Sequence, residues 1–446
     1  MSFIIDKQTL DDLNIFGKRG AIYNIFNNTN TRGGALLLEE MFNYPLADAG
    51  RISERMNIIR FFREQQLVFP FSNESFDTIE HYLENTDERS KLAMEEDNLQ
   101  RKLRNMVGAD TEFEGLHKGV MAVIDVYNRL QDFLFSLNGK MDSVWKSEVQ
   151  EMQMLLNDPA LPFIREEKNS KKLSYAKLAG YDKALRFASR DKIKKLLFHV
   201  YSMDLYMSVA GVANARGFAF ADVLDTEENI ISIEGMYHPN LSNPVSNQVR
   251  IDRNSNVIFL TGANMAGKST FMKTLGVTIF LAHMGFPVPA TKMSFSVQQG
   301  LFTTINLSDN LNMGYSHFYA EVLRLKKVAE QAGRTQKLVI IFDELFRGTN
   351  VKDAYDATVA VAEAFAEKKD CTFIISTHII EAGEVLKEKC SNINFVYFPT
   401  IMKGAMPEYT YKLAKGITND RHGMMIIGNE NIIGILKSRK QTTKPV

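Results

Sequence analysis

Leu260-Thr261-Gly262-Ala263-Asn264-Met265-Ala266-Gly267-Lys268-Ser269-Thr270 is the stretch on which the reading of this chain turns. It has the form G-x-x-x-x-G-K-[ST] of the phosphate-binding P-loop. The apolar run Val257 to Leu260 leads into it and reads as a short buried strand. Behind it, Phe271, Leu275, Thr278 and Ala282 recur at helical spacing. The motif therefore lies between a strand and a helix, the context its chemistry needs. Gly262 and Gly267 allow a tight turn in which successive N–H groups face phosphate oxygens. The helix N-terminus adds partial positive charge. Lys268 is the residue type that reaches the β- and γ-phosphates. Ser269 offers a hydroxyl to Mg²⁺, and Thr270 closes the motif.

Two more strands point to the same sheet edge. Leu338-Val339-Ile340-Ile341-Phe342 is an apolar run that ends in Asp343-Glu344. In open α/β sheets ligands gather at the C-terminal ends of the strands. Asp343 is thus placed to hold Mg²⁺ opposite Ser269, and Glu344 to polarise an attacking water as general base. Carboxylates at the end of a buried strand are costly without a partner. Thr372-Phe373-Ile374-Ile375-Ser376 reads as a third strand and ends in Thr377-His378. Most lone histidines are structural or solvated, but His378 shares an edge with Asp343 and is a second candidate catalytic group. Asp353–Glu367 reads as a covering helix. The alternation predicts a mostly parallel sheet covered on both faces.

The bulk properties narrow the class. The chain has 446 residues, 45% hydrophobic and 24% charged, which suits two or three ordinary globular domains. Formal net charge is zero, so contact with nucleic acid needs a local patch. The two cysteines, Cys371 and Cys390, lack metal-ligand spacing and suit a reducing compartment. No signal peptide is legible at the N-terminus. No apolar run approaches the length of a membrane span. The expected address is the cytoplasm.

Residues 1–216 read as a mostly α-helical domain, and residues 217–446 as an α/β P-loop ATPase domain. In the first half, Thr29 to Gly34 looks like a loop that starts a helix over Ala35 to Phe42. Ile52, Met56, Ile59 and Phe62 share one helical face after an acidic start at Asp48. Phe69 to Gly115 is more polar. Val120 to Leu137 forms a longer pattern, with Gly139 as its stop. Another helix is expected over Met141 to Leu156, and one long helix over Lys183 to Arg216. A basic cluster runs from Lys168 to Lys195. It reads either as a phosphate-contact surface or as a solvated helix face. Glu166, Glu167, Asp182 and Asp191 dilute it, and aromatic residues are not interleaved with the cations in a stacking pattern, which favours the solvated face.

Taken together these blocks resemble the MutS family of DNA mismatch-repair ATPases, within the wider ABC-type ATPases. Thr261 to Thr270 is similar to the family's TGPNMGGKST, with Ala263 and Ala266 as departures. Gly285-Phe286-Pro287-Val288-Pro289-Ala290 resembles GCFVPA. Asp309 to Glu321 resembles DDLxxGxSTFMVE, with His317 in place of threonine. Asp343 to Asn350 resembles DEIGRGTS, with Phe346 and Asn350 as departures. Thr377-His378 followed by Glu381 resembles THYxEL. Arg421-His422-Gly423 stands where the family usually has Ser-Tyr-Gly. Thr29 to Gly34 and Ile52-Ser53-Glu54-Arg55 look like the start of the family's helical core, or lever, domain.

The resemblance implies ATP and Mg²⁺ as cofactors and hydrolysis of ATP to ADP and phosphate. It implies a homodimer in which Ser316 acts in trans on the partner's γ-phosphate while Asn264 lines the phosphate of its own protomer. On the same resemblance the mismatch-reading and connector domains have no expected counterpart here, and the DNA clamp is short or absent. DNA and other repair or recombination proteins are the expected partners, with no membrane. The other reading is an ATP-gated dimeric interaction or signalling protein that does not touch DNA. A transporter subunit fits poorly, for want of a Leu-Ser-Gly-Gly-Gln signature.

Overall fold

The apolar runs that feed the motifs become neighbouring strands. In the computed structural model, which describes residues 3–87, 90, 92, 109–137, 140, 144–305, 317–403, 406–418 and 432–437, thirteen strands form three sheets. They are β1 Ile4–Ile5, β2 Asp222–Leu224, β3 Ile231–Met236, β4 Asn247–Ile251, β5 Val257–Gly262, β6 Lys292–Ser296, β7 Gly300–Thr304, β8 Leu338–Phe342, β9 Thr372–Ser376, β10 Ile393–Phe398, β11 Thr400–Lys403, β12 Met406–Tyr409 and β13 Ala414–Lys415. The main sheet has the order β1-β7-β8-β9-β5-β10-β13. All its pairings are parallel except β10 with β13. Every residue of β5, β7, β8 and β9 is buried, as parallel strands covered by helices require. On one face Phe342, Phe365 and Phe373 stack in turn, the last two with ring centres 4.1 Å apart. A smaller sheet, β2-β6-β3-β4, and the β11–β12 hairpin complete the strands.

The chain divides into two compact units, one of Met1–Tyr23, Tyr44–Ser53 and Gly217–Val446, the other of Asn24–Asn43 and Glu54–Arg216. A single boundary at 216/217 therefore needs correction. Residues 1–23 and 44–53, expected with the helical half, belong to the unit that holds the sheet. The physical reason lies in the bonds they make. β1 adds to the sheet edge beside β7, with Ile4 opposite Gly300. A Cβ at Gly300 would stand 2.6 Å from the Ile4 carbonyl, so only glycine admits the added strand. The Leu46 N–H donates to the His283 carbonyl, 2.8 Å away.

The other unit is helical. Its helices include Arg32–Asn43, most of Ala49–Gln65, Asn73–Glu84, Ala109–Ser136, Lys146–Leu156, Tyr175–Asp182 and Arg190–Arg216. The Asp204 carboxylate, fully buried, explains the Thr29 to Gly34 loop. It accepts from the backbone N–H and side-chain amide of Asn30 and from the N–H and hydroxyl of Thr31, all within 2.9 Å. Asp48 accepts from the Arg51 N–H, 2.8 Å, as the acidic start predicts.

Two expectations fail here. Asn73–Glu84 is a helix inside a stretch read only as polar; it buries Phe76, Ile79, Tyr82 and Leu83. Lys183 to Arg216 is not one regular helix: Lys183–Ala188 is π-helical, and Arg190–Arg216 follows. Within that wide turn Arg186 is fully buried and grips Asp182 through two nitrogens, 2.9 and 2.7 Å. Gly139 and Met141 lie outside the described residues. Arg190–Arg216 is long and apolar enough to cross a membrane by composition, but 78% of its apolar window is buried inside the protein.

Candidate functional site

β5 ends at Gly262, and the chain turns back over its own end before the helix Lys268–His283 begins. The turn needs backbone angles that side chains resist. Gly262 has φ of 146° and Gly267 φ of 105°, and Met265 adopts φ of 67° between them. Gly267 is the N-cap of the helix and gives it no side-chain bond. The first-turn N–H groups are left to other acceptors.

Lys268 is buried, and its ammonium donates to the carbonyls of Gly262 (2.9 Å) and Ala263 (3.1 Å). Burial lowers its pKa, with Glu344 and Asp343 pulling the other way. The lysine is thus a desolvated cation whose hydrogen bonds, among the described residues, go to backbone carbonyls, with the Glu344 and Asp343 carboxylates acting on it through charge.

The carboxylates converge on the same turn from β8. The Ser269 hydroxyl donates to Asp343 Oδ2, and the Ser376 hydroxyl donates to Asp343 Oδ1, both at 2.5 Å. The Asp343 N–H is held by the Thr304 carbonyl, 2.9 Å. Glu344 sits at φ of 54°, a left-handed position that directs it away from the line of the strand. Its N–H donates to Ser376 Oγ at 3.1 Å. Its carboxylate meets His378 Nε2 at 2.6 Å and Arg347 Nε at 3.2 Å. The bond with His378 holds the Glu344 carboxyl below its usual range against the effect of burial, helped by the charges of His378, Arg347 and Lys268. Glu344 is therefore a carboxylate at neutral pH.

Asn350 caps the next helix, Val351–Glu367, by accepting from the Asp353 N–H at 2.9 Å. Asparagine does there what a serine would do, which accounts for its departure from the DEIGRGTS pattern.

The loop opens onto a cavity of about 550 Å³. Asn264, Lys268, Ser269, Thr270 and Glu344 line it together with Tyr237, His238, Leu241, Asn247, Phe398 and Tyr411. Polar groups of the loop together with aromatic rings in one lining suit a ligand with a phosphate chain and a flat ring.

The structure brings Gly262, Asn264, Gly267, Lys268, Ser269, Thr270, Asp343, Glu344 and His378 to this one sheet edge. Ser316 lies outside the described residues, as does Arg421-His422-Gly423. The sequence reading missed Ser376, which bonds the Asp343 carboxylate and the Glu344 backbone N–H, and the aromatic rings of the cavity lining. A serine ending an otherwise apolar strand was the available signal for the first. Nothing near Tyr411 marks it. Among the described residues no group of three or more His, Cys, Asp or Glu could hold a metal. One hydroxyl and one carboxylate, Ser269 and Asp343, fit Mg²⁺ only when phosphate oxygens and waters supply the rest.

The basic cluster resolves into pairs. Lys168 bonds Asp132, Lys177 bonds Glu167, Lys192 bonds Asp158, Lys195 bonds Glu151, and Arg186 bonds Asp182. Much of its charge is spent locally, which agrees with a solvated helix face.

Comparison with known proteins places this geometry. The family model described as MutS domain V matches residues 258–440. The chain is similar to the DNA mismatch repair protein MutS of Persephonella marina, 31% identical over 240 residues, or 53% of this chain and 27% of that protein. It is similar to that of Fusobacterium nucleatum, 31% over 211 residues, 46% of this chain and 23% of that protein. It is also similar to MutS protein homolog 4 of Homo sapiens, 29% over 238 residues, 51% of this chain and 25% of that protein. The chain covers about a quarter of the length of these relatives. The sheet edge that gathers Lys268, Asp343 and Glu344 lies within the residues that match MutS domain V.

Proposed function

We propose that this chain binds and hydrolyses ATP in the manner of a MutS ATPase and couples the nucleotide to dimerisation and DNA. The buried Lys268 ammonium carries the reading. A desolvated cation hydrogen-bonded to carbonyls, at the open N-terminus of a helix, gains from a polyanion. A triphosphate along the Gly262 to Thr270 turn gives it that partner, and the Tyr237–Tyr411 wall takes the base.

In this mechanism Lys268 and the loop N–H groups hold the phosphates in line. Ser269 and Asp343 would hold Mg²⁺, which when bound would supply positive charge against the phosphates. Glu344 accepts the proton of the attacking water, and His378 orients Glu344. Ser376 keeps the Asp343 carboxylate aimed and anchors the Glu344 backbone. Ser316 of a second copy completes the γ-phosphate contacts, and the helical unit acts as the lever. The test is calorimetry with MgATP: Lys268→Ala is expected to abolish tight binding, and an unchanged affinity would refute the assignment of the loop.

The second reading, an ATP-gated interaction protein without DNA, gains support from the paired basic cluster. A gel shift on duplex, mismatched and branched DNA separates the two. The MutS reading requires binding at low salt that weakens steadily as salt rises; no binding at low salt leaves the interaction protein.

A further inference from the structure

The segment between β12 and β13 brings Tyr411 against the P-loop. A Cβ at Gly267 would stand 3.2 Å from the Tyr411 ring, so the ring lies on the last glycine of the loop. Both residues line the cavity, and Tyr411 is half-exposed. Its backbone sits at φ of 52°, a left-handed position that a bulky residue rarely takes. Such a position persists only where its neighbours hold it. Asn247, buried at the start of β4, does so. Its side-chain amide donates to the Tyr411 carbonyl at 3.0 Å, and its Oδ1 accepts from the Leu413 N–H at 2.7 Å. The two bonds need one donor and one acceptor on a short side chain, which asparagine supplies. The same amide reaches the Val245 carbonyl at 3.4 Å. Among the described residues the Asn247 side chain makes no bond to Lys268, Ser269, Asp343 or Glu344. The Lys412 ammonium adds a bond to the Ser246 carbonyl, 2.6 Å. A β-bulge sets Asn247 in place. Ile233 lies opposite Val249 and Met236 opposite Asn247, so β3 carries one residue more than β4 there. Gly235, with φ of 63°, lies in the bulge, and Met236 and Asn247 both line the cavity.

We propose that Asn247 is a positioning residue for nucleotide affinity: by locking residues 411–413 it keeps the Tyr411 ring against Gly267, where the ring walls the cavity that takes ATP. The inference rests on the ATPase reading above, and it separates two steps. Binding needs the wall in place, so affinity depends on Asn247. Cleavage is carried by Lys268, Ser269, Asp343 and Glu344, so turnover at saturation does not.

The experiment uses the full chain. Calorimetry with MgATP gives Kd, and steady-state assays give kcat and KM. The set is wild type, Asn247→Ala, Asn247→Asp, Tyr411→Gly, and Asn247→Ala combined with Tyr411→Gly, with a thermal melt as the check of folding. Asn247→Ala frees the segment. With the ring in place about a tenth of the time, Kd and KM rise about tenfold, because apparent affinity follows the population of the competent state. kcat should stay within about twofold, the signature of lost uniform binding. Asn247→Asp keeps the acceptor for the Leu413 N–H but sets an oxygen against the Tyr411 carbonyl, so it should weaken binding too; it decides the matter if Asn247→Ala does not fold. Tyr411→Gly removes the ring and should weaken binding at least as much as Asn247→Ala. In the combined variant the two losses should not add, because Asn247 acts through Tyr411. Unchanged Kd and KM in the folded Asn247 variants overturn the role. So do losses that add in the combined variant, or a fall in kcat at unchanged KM. A wild-type chain that does not bind MgATP overturns the nucleotide reading, and this role with it.

Discussion

His283 ends the helix that starts at Lys268, and it must stay neutral for the sheet-containing unit to keep its packing. It is fully buried against the rings of Phe3 and Phe295, at 4.5 and 5.1 Å. Its Nδ1–H donates to the Ile279 carbonyl at 2.8 Å, and its Nε2 accepts from the Gln298 N–H at 2.9 Å. The two bonds fix one neutral tautomer. A second proton would sit on Nε2, facing another donor. Burial pushes the pKa from 6.5 down to about 4. The folded value lies below the unfolded one, so the unfolded chain takes up the proton first. Stability from this group is whole above pH 6.5 and is lost as pH falls toward about 4. At about 1.4 kcal/mol per pH unit the full loss is about 3 kcal/mol. Urea unfolding at pH 7 and pH 4.5 is the assay, with His283→Gln as a control that cannot titrate. Other carboxylates also titrate in this window, so the difference between wild type and control isolates His283. The wild type should lose about 2–3 kcal/mol more than the control. Equal losses, or a His283 ring that titrates near 6.5 by NMR, would refute the reasoning.

The remaining prediction concerns the carboxylates. Ser376→Ala removes the donor to Asp343 and the acceptor for the Glu344 N–H. It should cost about 1–2 kcal/mol in stability and about tenfold in kcat, with ATP affinity held by Lys268. Normal turnover in that variant would show that neither carboxylate needs Ser376.

What the sequence made legible follows from burial. β5, β8 and β9 are covered on both faces, so they read as continuous apolar runs, and their polar ends stand out as Gly262, Asp343-Glu344 and Thr377-His378. The bonds among these ends depend on strand order, which no local pattern states: β9 lies between β8 and β5, and this lets Ser376 reach Asp343. β1 has two residues, too few for any period, and its place beside β7 rests on Gly300, far away in sequence. The helix Asn73–Glu84 was hidden because eight of its residues are polar around a narrow apolar stripe. The π-helical turn at Lys183–Ala188 keeps helical spacing on both sides, so a periodic reading runs straight through it. The basic cluster was the converse case. Composition showed its cations, and only the fold brings in Asp132, Glu151 and Asp158 to pair with them.

The central claim is that Glu344 is the base of an ATP hydrolysis site built on Lys268, Ser269 and Asp343. The most direct measurement is a single-turnover assay with radiolabelled MgATP on wild type and Glu344→Gln. The account predicts that the variant retains ATP with near-normal affinity and cleaves it about 10²-fold or more slowly. Cleavage by the variant at the wild-type rate would contradict it.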